Sequence, residues 1–345
     1  MEIKIGISAD LSGPEYEHGH TLVNAVRLAV EEKGSEFGIR LVAGDDRAEG
    51  ERAMKIAEAL CEDEDVVAVV GPMTSDGVDA AGQLYEEANL PFITPSASNP
   101  SFSQRDWRYF FRLTGSDVVQ TQVLVDVVGE LGKERVAVIT DRSAFCSALS
   151  DLFITRAKDA SFEILGNVAV DRERDDYTEG ARQLHSLAPE IIFFGLIERE
   201  GQMVARSLRE LGSLAIFVGT DALKGSRYLE TPHLAVDGPY QTNMGVDLDL
   251  TPQRQEFRRR YRERFEKPPT VYSAESYDAG ALIASALAAA GPNRKGIREY
   301  LATMPAYPGL SGPIAFTEQG ERKTVEVGVY RLHRGETKLM KRLHV

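Results

Sequence analysis

Short apolar runs alternate with amphipathic stretches through the first third of the chain. The run from Ile3 to Ser8 predicts a strand, and apolar residues at helical spacing predict a helix from Thr21 to Lys33. The alternation continues with strands predicted at Ile39–Ala43, Val66–Gly71 and Pro91–Thr94, and with helices predicted at Glu49–Cys61 and Ala80–Asn89. Short apolar strands divided by helices and by loops rich in Gly, Pro and Asp indicate parallel strands with helices on both faces.

The middle of the chain repeats this alternation. Its predicted strands are Phe110–Leu113, Arg135–Thr140, Ile164–Ala169, Ile191–Gly195 and Ala215–Gly219. Its predicted helices are Asp117–Leu131, Ala148–Ala160, Tyr177–Leu187 and Gly201–Leu211. These elements predict a second Rossmann-like half.

The last third adds helices that have no sheet of their own to cover. The pattern predicts helices at Asp249–Phe265, Glu275–Ala290 and Gly296–Met304, then a β-hairpin of Val325–Leu332 and Thr337–Leu343 around Arg334-Gly335-Glu336. Because the second half already has its helices, the late ones are expected to return to the first half. The predicted fold class is therefore α/β, with two Rossmann-like doubly wound lobes and a ligand cleft at the carboxyl ends of the strands.

Length and charge narrow the function classes. A chain of 345 residues allows two domains, and its net charge of -13 argues against a nucleic-acid groove built on phosphate neutralisation. The longest weakly polar run, Ala279 to Gly291, is too short to cross a bilayer, so no direct membrane insertion is expected. The opening MEIKIGISAD enters a strand without an apolar leader, which fits either a cytosolic protein or one whose signal peptide has been removed.

Motifs for catalysis or metal binding are not found in the sequence. It contains no GxSxG elbow, no Walker A loop, no HExxH and no GxGxxG after the first strand. His18 and His20 flank a glycine without a partner ligand nearby, and Cys61 and Cys146 fit neither a metal spacing nor a disulfide framework. We therefore expect neither an enzyme nor a protein with a cofactor or a bound metal.

Hydroxyl residues instead follow two of the predicted strands. In GPMTSDGVDAA, Thr74 and Ser75 come between a buried strand and a helix, where hydroxyls and unpaired backbone N–H groups form an anion site. The alternative is that Ser75 or Asp76 simply caps the helix. The loop PSASNP follows the next strand in the same way, so the two loops together could hold one carboxylate.

Seven segments in order give the chain a family resemblance, which extends from Ile3 to at least Ala290. They are SGPEYEHG, LVAGDDRAE, VVGPMTSDGVDAA, PFITPSASNP, FFRLTGSDVVQ, RVAVITDRSAF and FVGTDAL. The chain resembles the branched-chain amino-acid-binding proteins of ABC importers, which have the type I periplasmic-binding fold. The resemblance implies lobes of residues 1–113 plus 244–325 and 114–243 plus 326–345, with three crossover segments near Leu113–Gly115, Tyr240–Met244 and Glu326.

The resemblance also implies the residues that bind the ligand's polar groups. The hydroxyl that holds an α-carboxylate matches Ser75, and the second loop matches Ser96, Ala97 and Ser98. The acidic residue that receives the α-ammonium matches Asp221, for which a helix N-cap is the alternative role. A charge-assisted hydrogen bond of this kind is strong in a dry cleft.

Other positions depart from the family pattern or match its pocket walls. Phe145 stands where a tyrosine is usual, so one hydroxyl contact is lost, and Leu196 and Ile197 replace an aromatic residue. His18 and Tyr277 match aromatic positions of the pocket wall, although His18 could equally be a packed loop residue. These departures leave the ligand's side chain open.

The expected function is that of an extracytoplasmic solute-binding protein of an ABC importer, whose cleft closes on a branched-chain or other aliphatic amino acid. Its expected partners are that small molecule and a membrane permease, and its expected location is periplasmic, with the signal peptide removed. An aromatic or other carboxylate without the amine, and a cytosolic amide or amino-acid sensor of the same fold, are the alternatives.

Overall fold

A computed structural model describes residues 2–141, 143–171, 176–223, 239–333 and 336–345. Its strands are β1 (Lys4–Ala9), β2 (Arg40–Asp45), β3 (Val66–Val70), β4 (Phe92–Thr94), β5 (Phe110–Arg112), β6 (Arg135–Thr140), β7 (Glu163–Ala169), β8 (Ile191–Gly195), β9 (Ile216–Gly219), β10 (Tyr240–Asn243), β11 (Tyr307–Gly309), β12 (Gly312–Ile314), β13 (Glu326–His333) and β14 (Glu336–His344). Its α-helices are α1 (Tyr16–Lys33), α2 (Gly50–Glu62), α3 (Ser75–Glu87), α4 (Asp117–Glu130), α5 (Ala144–Asp159), α6 (Thr178–Ser186), α7 (Glu198–Glu210), α8 (Pro252–Phe265), α9 (Ser273–Ala290) and α10 (Arg294–Thr303).

The chain divides into two units, each of which is built from separate stretches of the sequence. Unit 1 comprises Met1–Ser116, Gly245–Glu326 and His344–Val345. Unit 2 comprises Asp117–Met244 and Val327–Leu343. The backbones of Val325 and Val345 exchange hydrogen bonds of 2.9 and 3.0 Å, which hold the last residue in unit 1.

Unit 1 is built on a parallel five-stranded sheet in the order β2-β1-β3-β4-β5. Every residue of β3, with sequence VVAVV, is buried, as expected for a strand covered on both faces. Helix α9 is rich in alanine and packs closely on α1: a Cβ on Gly280, its one glycine, would lie 3.0 Å from the Cβ of Ala29. The late helices α9 and α10 thus contribute to the core of the first sheet.

Unit 2 contains the seven-stranded sheet β14-β13-β10-β9-β8-β6-β7. Strands β6 to β10 pair in parallel with one another. Strand β13 is antiparallel to β10. Phe153 of α5 stacks on Phe193 of β8, with ring centroids 4.0 Å apart. The predicted doubly wound α/β fold is therefore confirmed, whereas the hairpin residues Arg334 and Gly335 lie outside the described residues.

Several helices begin one turn or more before the point where apolar periodicity places them. Helix α1 begins at Tyr16 rather than Thr21, and α3 begins at Ser75 rather than Ala80. Their first turns are held by polar contacts, so they need no apolar stripe. The carboxylate of Asp10, for example, accepts hydrogen bonds from the backbone N–H groups of Gly13 and Glu15 just before α1.

Candidate functional site

Two loops of unit 1 meet at the carboxyl edge of its sheet. The Ser96 hydroxyl donates to the carbonyl of Met73 at 2.7 Å, which links the loop after β4 to the loop after β3. The backbone N–H of Asn99 donates to the Ser75 hydroxyl at 3.4 Å. The structure therefore brings together the two hydroxyl-bearing loops that the sequence placed at neighbouring strand ends.

Thr74, rather than Ser75 or Asp76, caps helix α3. Its hydroxyl accepts a hydrogen bond from the backbone N–H of Gly77 at 3.1 Å, and its backbone is extended. Ser75 is the first residue of the helix and is 8% exposed. The Ser75 hydroxyl thus lies at a helix N-terminus, where the helix dipole favours an anion, and does not cap the helix.

The three predicted residues of the second loop differ in their availability. The Ser96 hydroxyl is engaged by Met73, and the backbone N–H of Ala97 donates to the Thr94 hydroxyl at 3.1 Å. Ser98 is 6% exposed, and its hydroxyl forms no hydrogen bond within the described ranges of the chain. Ser98 is therefore the member of this loop whose hydroxyl is best placed to meet a ligand.

A buried arginine that sequence reasoning missed supports the second loop. Arg112 is 0% exposed and donates through Nη1 to the carbonyls of Asn99 at 2.9 Å and Ala97 at 3.3 Å. Its Nε donates to Glu321 at 2.9 Å, and Nη2 forms a second bond to the same carboxylate. The only sequence signal was a cation inside the apolar run FFRL, because Glu321 lies far away in the chain.

His18 lies in the first turn of α1 and not in a loop. Its Nδ1 is 2.9 Å from the hydroxyl of Thr270, and its Nε2 is 3.6 Å from the Glu15 carboxylate. The helix can begin this early because Gly19 lets it approach the end of β1: a Cβ on Gly19 would lie 1.7 Å from the carbonyl oxygen of Asp10. His18 is half-buried and reaches Thr270 just before α9.

Tyr277 lies among the helices of unit 1. Its ring packs edge-on against Phe257, with centroids 5.3 Å apart, and its hydroxyl donates to Glu32 at 2.6 Å. Burial, together with the Glu32 carboxylate, raises the pKa of the Tyr277 hydroxyl. The Tyr277 side chain therefore contacts α1 through Glu32 and α8 through Phe257. Its role in a pocket wall stays a prediction.

In unit 2, Asp221 follows β9 and begins a short 3₁₀ helix, Asp221–Leu223. The carboxamide Nε2 of Gln120, on α4, donates to Oδ1 of Asp221. Gln120 is 0% exposed, whereas Asp221 is half-buried. The structure thus places the predicted ammonium-binding carboxylate at a strand end, hydrogen-bonded to a neutral amide that sequence reasoning did not select.

The apolar candidates of unit 2 differ in accessibility. Phe145 is the second residue of α5 and packs, half-buried, against the core that contains Leu149 and Phe153. Ile197 is half-buried at the N-cap position of α7. Leu196, which stands in the place of an aromatic residue, is wholly buried in the hydrophobic core of unit 2.

The described part of the chain has neither a cluster of metal ligands nor a membrane-spanning helix. Across residues 2–141, 143–171, 176–223, 239–333 and 336–345, no group of three or more His, Cys, Asp or Glu side chains could hold a metal ion. Among the same residues, no helix has both the length and the apolar character needed to cross a membrane.

Comparison with known proteins shows which family has residues arranged in this order. The model of a protein family described as periplasmic binding protein matches residues 2–337, nearly the whole chain. The chain belongs to this periplasmic binding protein family. The resemblance inferred from the seven sequence segments is therefore confirmed.

Several similar proteins, all of low sequence identity to this chain, are named for the small molecules that they bind or were solved with one. An amino acid binding protein of Pseudomonas aeruginosa is 26% identical over 340 residues, covering 95% of this chain and 90% of the relative. A branched-chain amino acid transporter substrate-binding protein, LivJ of Streptococcus pneumoniae, was solved with isoleucine; it has a TM-score of 0.87 and 22% identity, and the match covers 100% and 99% of the two chains. A solute-binding protein of R. palustris solved with benzoate has a TM-score of 0.86 and 18% identity, with 99% and 96% covered. The two structures show that this periplasmic binding protein shares their fold.

Proposed function

We propose that this protein is the solute-binding component of an ABC importer and that it binds a branched-chain or other small aliphatic amino acid. One observation carries the proposal: Thr74 caps α3, so the Ser75 hydroxyl lies at the helix N-terminus beside the Ser98 loop without a capping role. Family membership supplies the class of protein, and this geometry supplies the ligand's first functional group, a carboxylate.

A carboxylate suits the Ser75 end of the site for electrostatic reasons. The first N–H groups of a helix have no partner inside the helix, and the helix dipole places partial positive charge there. The hydroxyls of Ser75 and Ser98 add two donors. None of these groups carries a formal charge, which is why a protein of net charge -13 can still bind an anion.

Asp221 binds the ligand's second functional group, its ammonium. A half-buried carboxylate at the end of β9 suits an ammonium, and a charge-assisted hydrogen bond is about twice as strong as a neutral one. The carboxylate-binding residues belong to unit 1 and Asp221 belongs to unit 2. A ligand that makes more favourable contacts in one conformation shifts the population towards that conformation.

The liganded protein is the form that a membrane permease of the importer would bind. This role requires the protein to work outside the cytoplasm, in the periplasm or its equivalent. It also implies that the protein carries its ligand unchanged, because the proposed site provides donors, acceptors and charge for binding rather than groups arranged for a reaction.

Calorimetry tests the ligand class. The unliganded protein is titrated with each of the twenty amino acids, after native mass spectrometry of the purified protein has shown whether a ligand is retained. We expect heat with aliphatic amino acids, and we expect Asp221→Asn to weaken binding by about 100-fold, as for a charged hydrogen bond left unpaired. Asp126→Asn, at an exposed carboxylate on α4, is the matched control. The absence of heat with every aliphatic amino acid would refute the proposal.

A carboxylate without an amine is the second candidate. It is favoured by Phe145, which stands where a tyrosine hydroxyl was expected, and by the benzoate bound to the R. palustris protein of the same fold. Against it, Asp221 would face such a ligand with a like charge, and the core position of Leu196 reduces the apolar surface. Titration with benzoate and with 4-methylpentanoate separates the two candidates, because only the second candidate predicts tighter binding of these acids than of leucine.

A further inference from the structure

Gln120 makes a buried hydrogen bond that the fold alone does not require. It lies in the second turn of α4 and is 0% exposed, and its Nε2 donates to Oδ1 of Asp221. Its Oε1 is also buried and has no hydrogen-bond partner within the described ranges. Burying a carboxamide costs free energy unless its groups are hydrogen-bonded, so the bond to Asp221 is the contact that offsets this cost.

The chemistry of the donor determines what Asp221 can still do. An N–H donor fixes the orientation of a carboxylate and favours its ionised form. A carboxamide is neutral, so it does this without cancelling the negative charge, whereas an arginine or lysine at position 120 would form an ion pair. A carboxylate has about four lone-pair sites, so one bond from Gln120 does not by itself occupy the group.

We propose that Gln120 is a positioning residue that holds the Asp221 carboxylate, charged and oriented, for the ammonium group of the ligand. The inference rests on the proposed function, because it assigns Asp221 to an amino-acid ammonium. It makes selectivity for an amino acid over its deaminated counterpart depend on a residue that does not itself contact the ligand.

Calorimetry on the full chain tests this with Gln120→Met, which keeps the length and volume of the side chain and removes its donor. The probes are L-leucine and 4-methylpentanoate, which differ by the ammonium. A misoriented Asp221 loses much of its charge-assisted hydrogen bond to the ammonium, which predicts leucine affinity lower by about 10- to 100-fold. The affinity for 4-methylpentanoate should stay within about twofold, because that ligand has no group for Asp221 to receive.

Gln122→Met is the matched control. Gln122 lies on the same helix and also donates from Nε2 to a carboxylate, that of Asp126, at 3.0 Å, but on the exposed face. It should leave the affinity for both probes unchanged. Gln120→Asn, whose amide is too short to reach Asp221, is a second variant that keeps a polar side chain if the methionine variant unfolds. Thermal unfolding of each variant checks its folding.

A double-mutant cycle with Asp221→Asn separates positioning from packing. If Gln120 acts through Asp221, Gln120→Met weakens leucine binding by less than about threefold in the Asp221→Asn background. Equal losses in both backgrounds, or parallel losses for leucine and 4-methylpentanoate, overturn the inference. If the wild-type protein binds leucine and Gln120→Met binds it equally well, only this inference fails. If the wild-type protein binds no amino acid, the proposed function fails and this inference fails with it.

Discussion

Glu275 gives unit 1 a pH-dependent stability that a single substitution should remove. Its side chain is 1% exposed, and Oε1 accepts a hydrogen bond from the backbone N–H of Val246 at 3.0 Å. Oε2 is buried and has no hydrogen-bond partner within the described ranges. Burial raises the pKa of Glu275 to about 7, the charge of Arg322 opposes the rise and that of Asp278 adds to it.

The direction and size of the effect follow from that pKa. Folding raises the carboxyl from its ordinary value of 4.5, so the folded protein binds this proton more tightly than the unfolded chain. The favourable contribution is complete below pH 4.5 and is lost as the pH rises to about 7. At about 1.36 kcal/mol for each pH unit, the loss reaches about 3 kcal/mol above pH 7.

Glu275→Gln imitates the protonated side chain at every pH. Its amide oxygen can still accept from Val246, so we expect the variant to match the wild type near pH 5 and to exceed its stability by up to about 3 kcal/mol at pH 8. Urea unfolding followed by fluorescence of Trp107, the single tryptophan, reports on unit 1 itself. Glu58→Gln, at an exposed position of α2, is the control. A stability difference that stays constant from pH 5 to pH 8, or that shrinks, would contradict the reasoning.

Three further comparisons of variants test the site and its supports. Thr74→Ala should lower the free energy of unfolding by about 1 kcal/mol through loss of the cap, whereas Ser75→Ala should mainly lower ligand affinity. Urea unfolding measures the first effect and calorimetry the second; a stability loss in Ser75→Ala and an affinity loss in Thr74→Ala would contradict this assignment. Gly19→Ala should destabilise unit 1 by about 3 kcal/mol or more, because its Cβ would meet the Asp10 carbonyl; Gly129→Ala, whose Cβ has Phe162 at 3.7 Å, is the tolerated control in a thermal melt. Tyr277→Phe should cost about 1 kcal/mol through its lost bond to Glu32 with unchanged ligand affinity, and a tenfold loss of affinity would return Tyr277 to the pocket wall.

Much of the fold was predictable because buried parallel strands have a simple sequence pattern. A run such as Val66–Val70 is apolar at every position, since both faces of the strand are covered by helices. The same reasoning located most strands of both sheets. It could not locate β11 and β12, the pair Tyr307–Gly309 and Gly312–Ile314, because neither strand is an apolar run.

Helix starts were less predictable because polar contacts, and not periodicity, determine them. Apolar residues of α1 recur only from Leu22 onward, but the helix begins at Tyr16 because the Asp10 carboxylate closes the preceding turn. This shift moves His18 from a loop into a helix. Within GPMTSD, three adjacent polar residues could each cap α3, and only the structure distinguishes Thr74 from Ser75 and Asp76.

The residues that sequence reasoning missed have a common physical cause. Arg112 bonds to Glu321, 209 positions away, and Gln120 bonds to Asp221, 101 positions away, so neither pairing leaves a local pattern. Each is a polar side chain with 0% exposure in a stretch that begins with two apolar residues, Phe110 and Phe111 before Arg112 and Val118 and Val119 before Gln120. Because an unpaired buried polar group costs about 1–3 kcal/mol, a polar residue within such a stretch implies a distant partner. Arg112 also donates to the carbonyls of Ala97 and Asn99 in the second loop, and Gln120 donates to Asp221, so both side chains support proposed ligand-binding residues. Buried polar residues beside apolar runs are therefore the signal that sequence analysis should add to strand ends and caps.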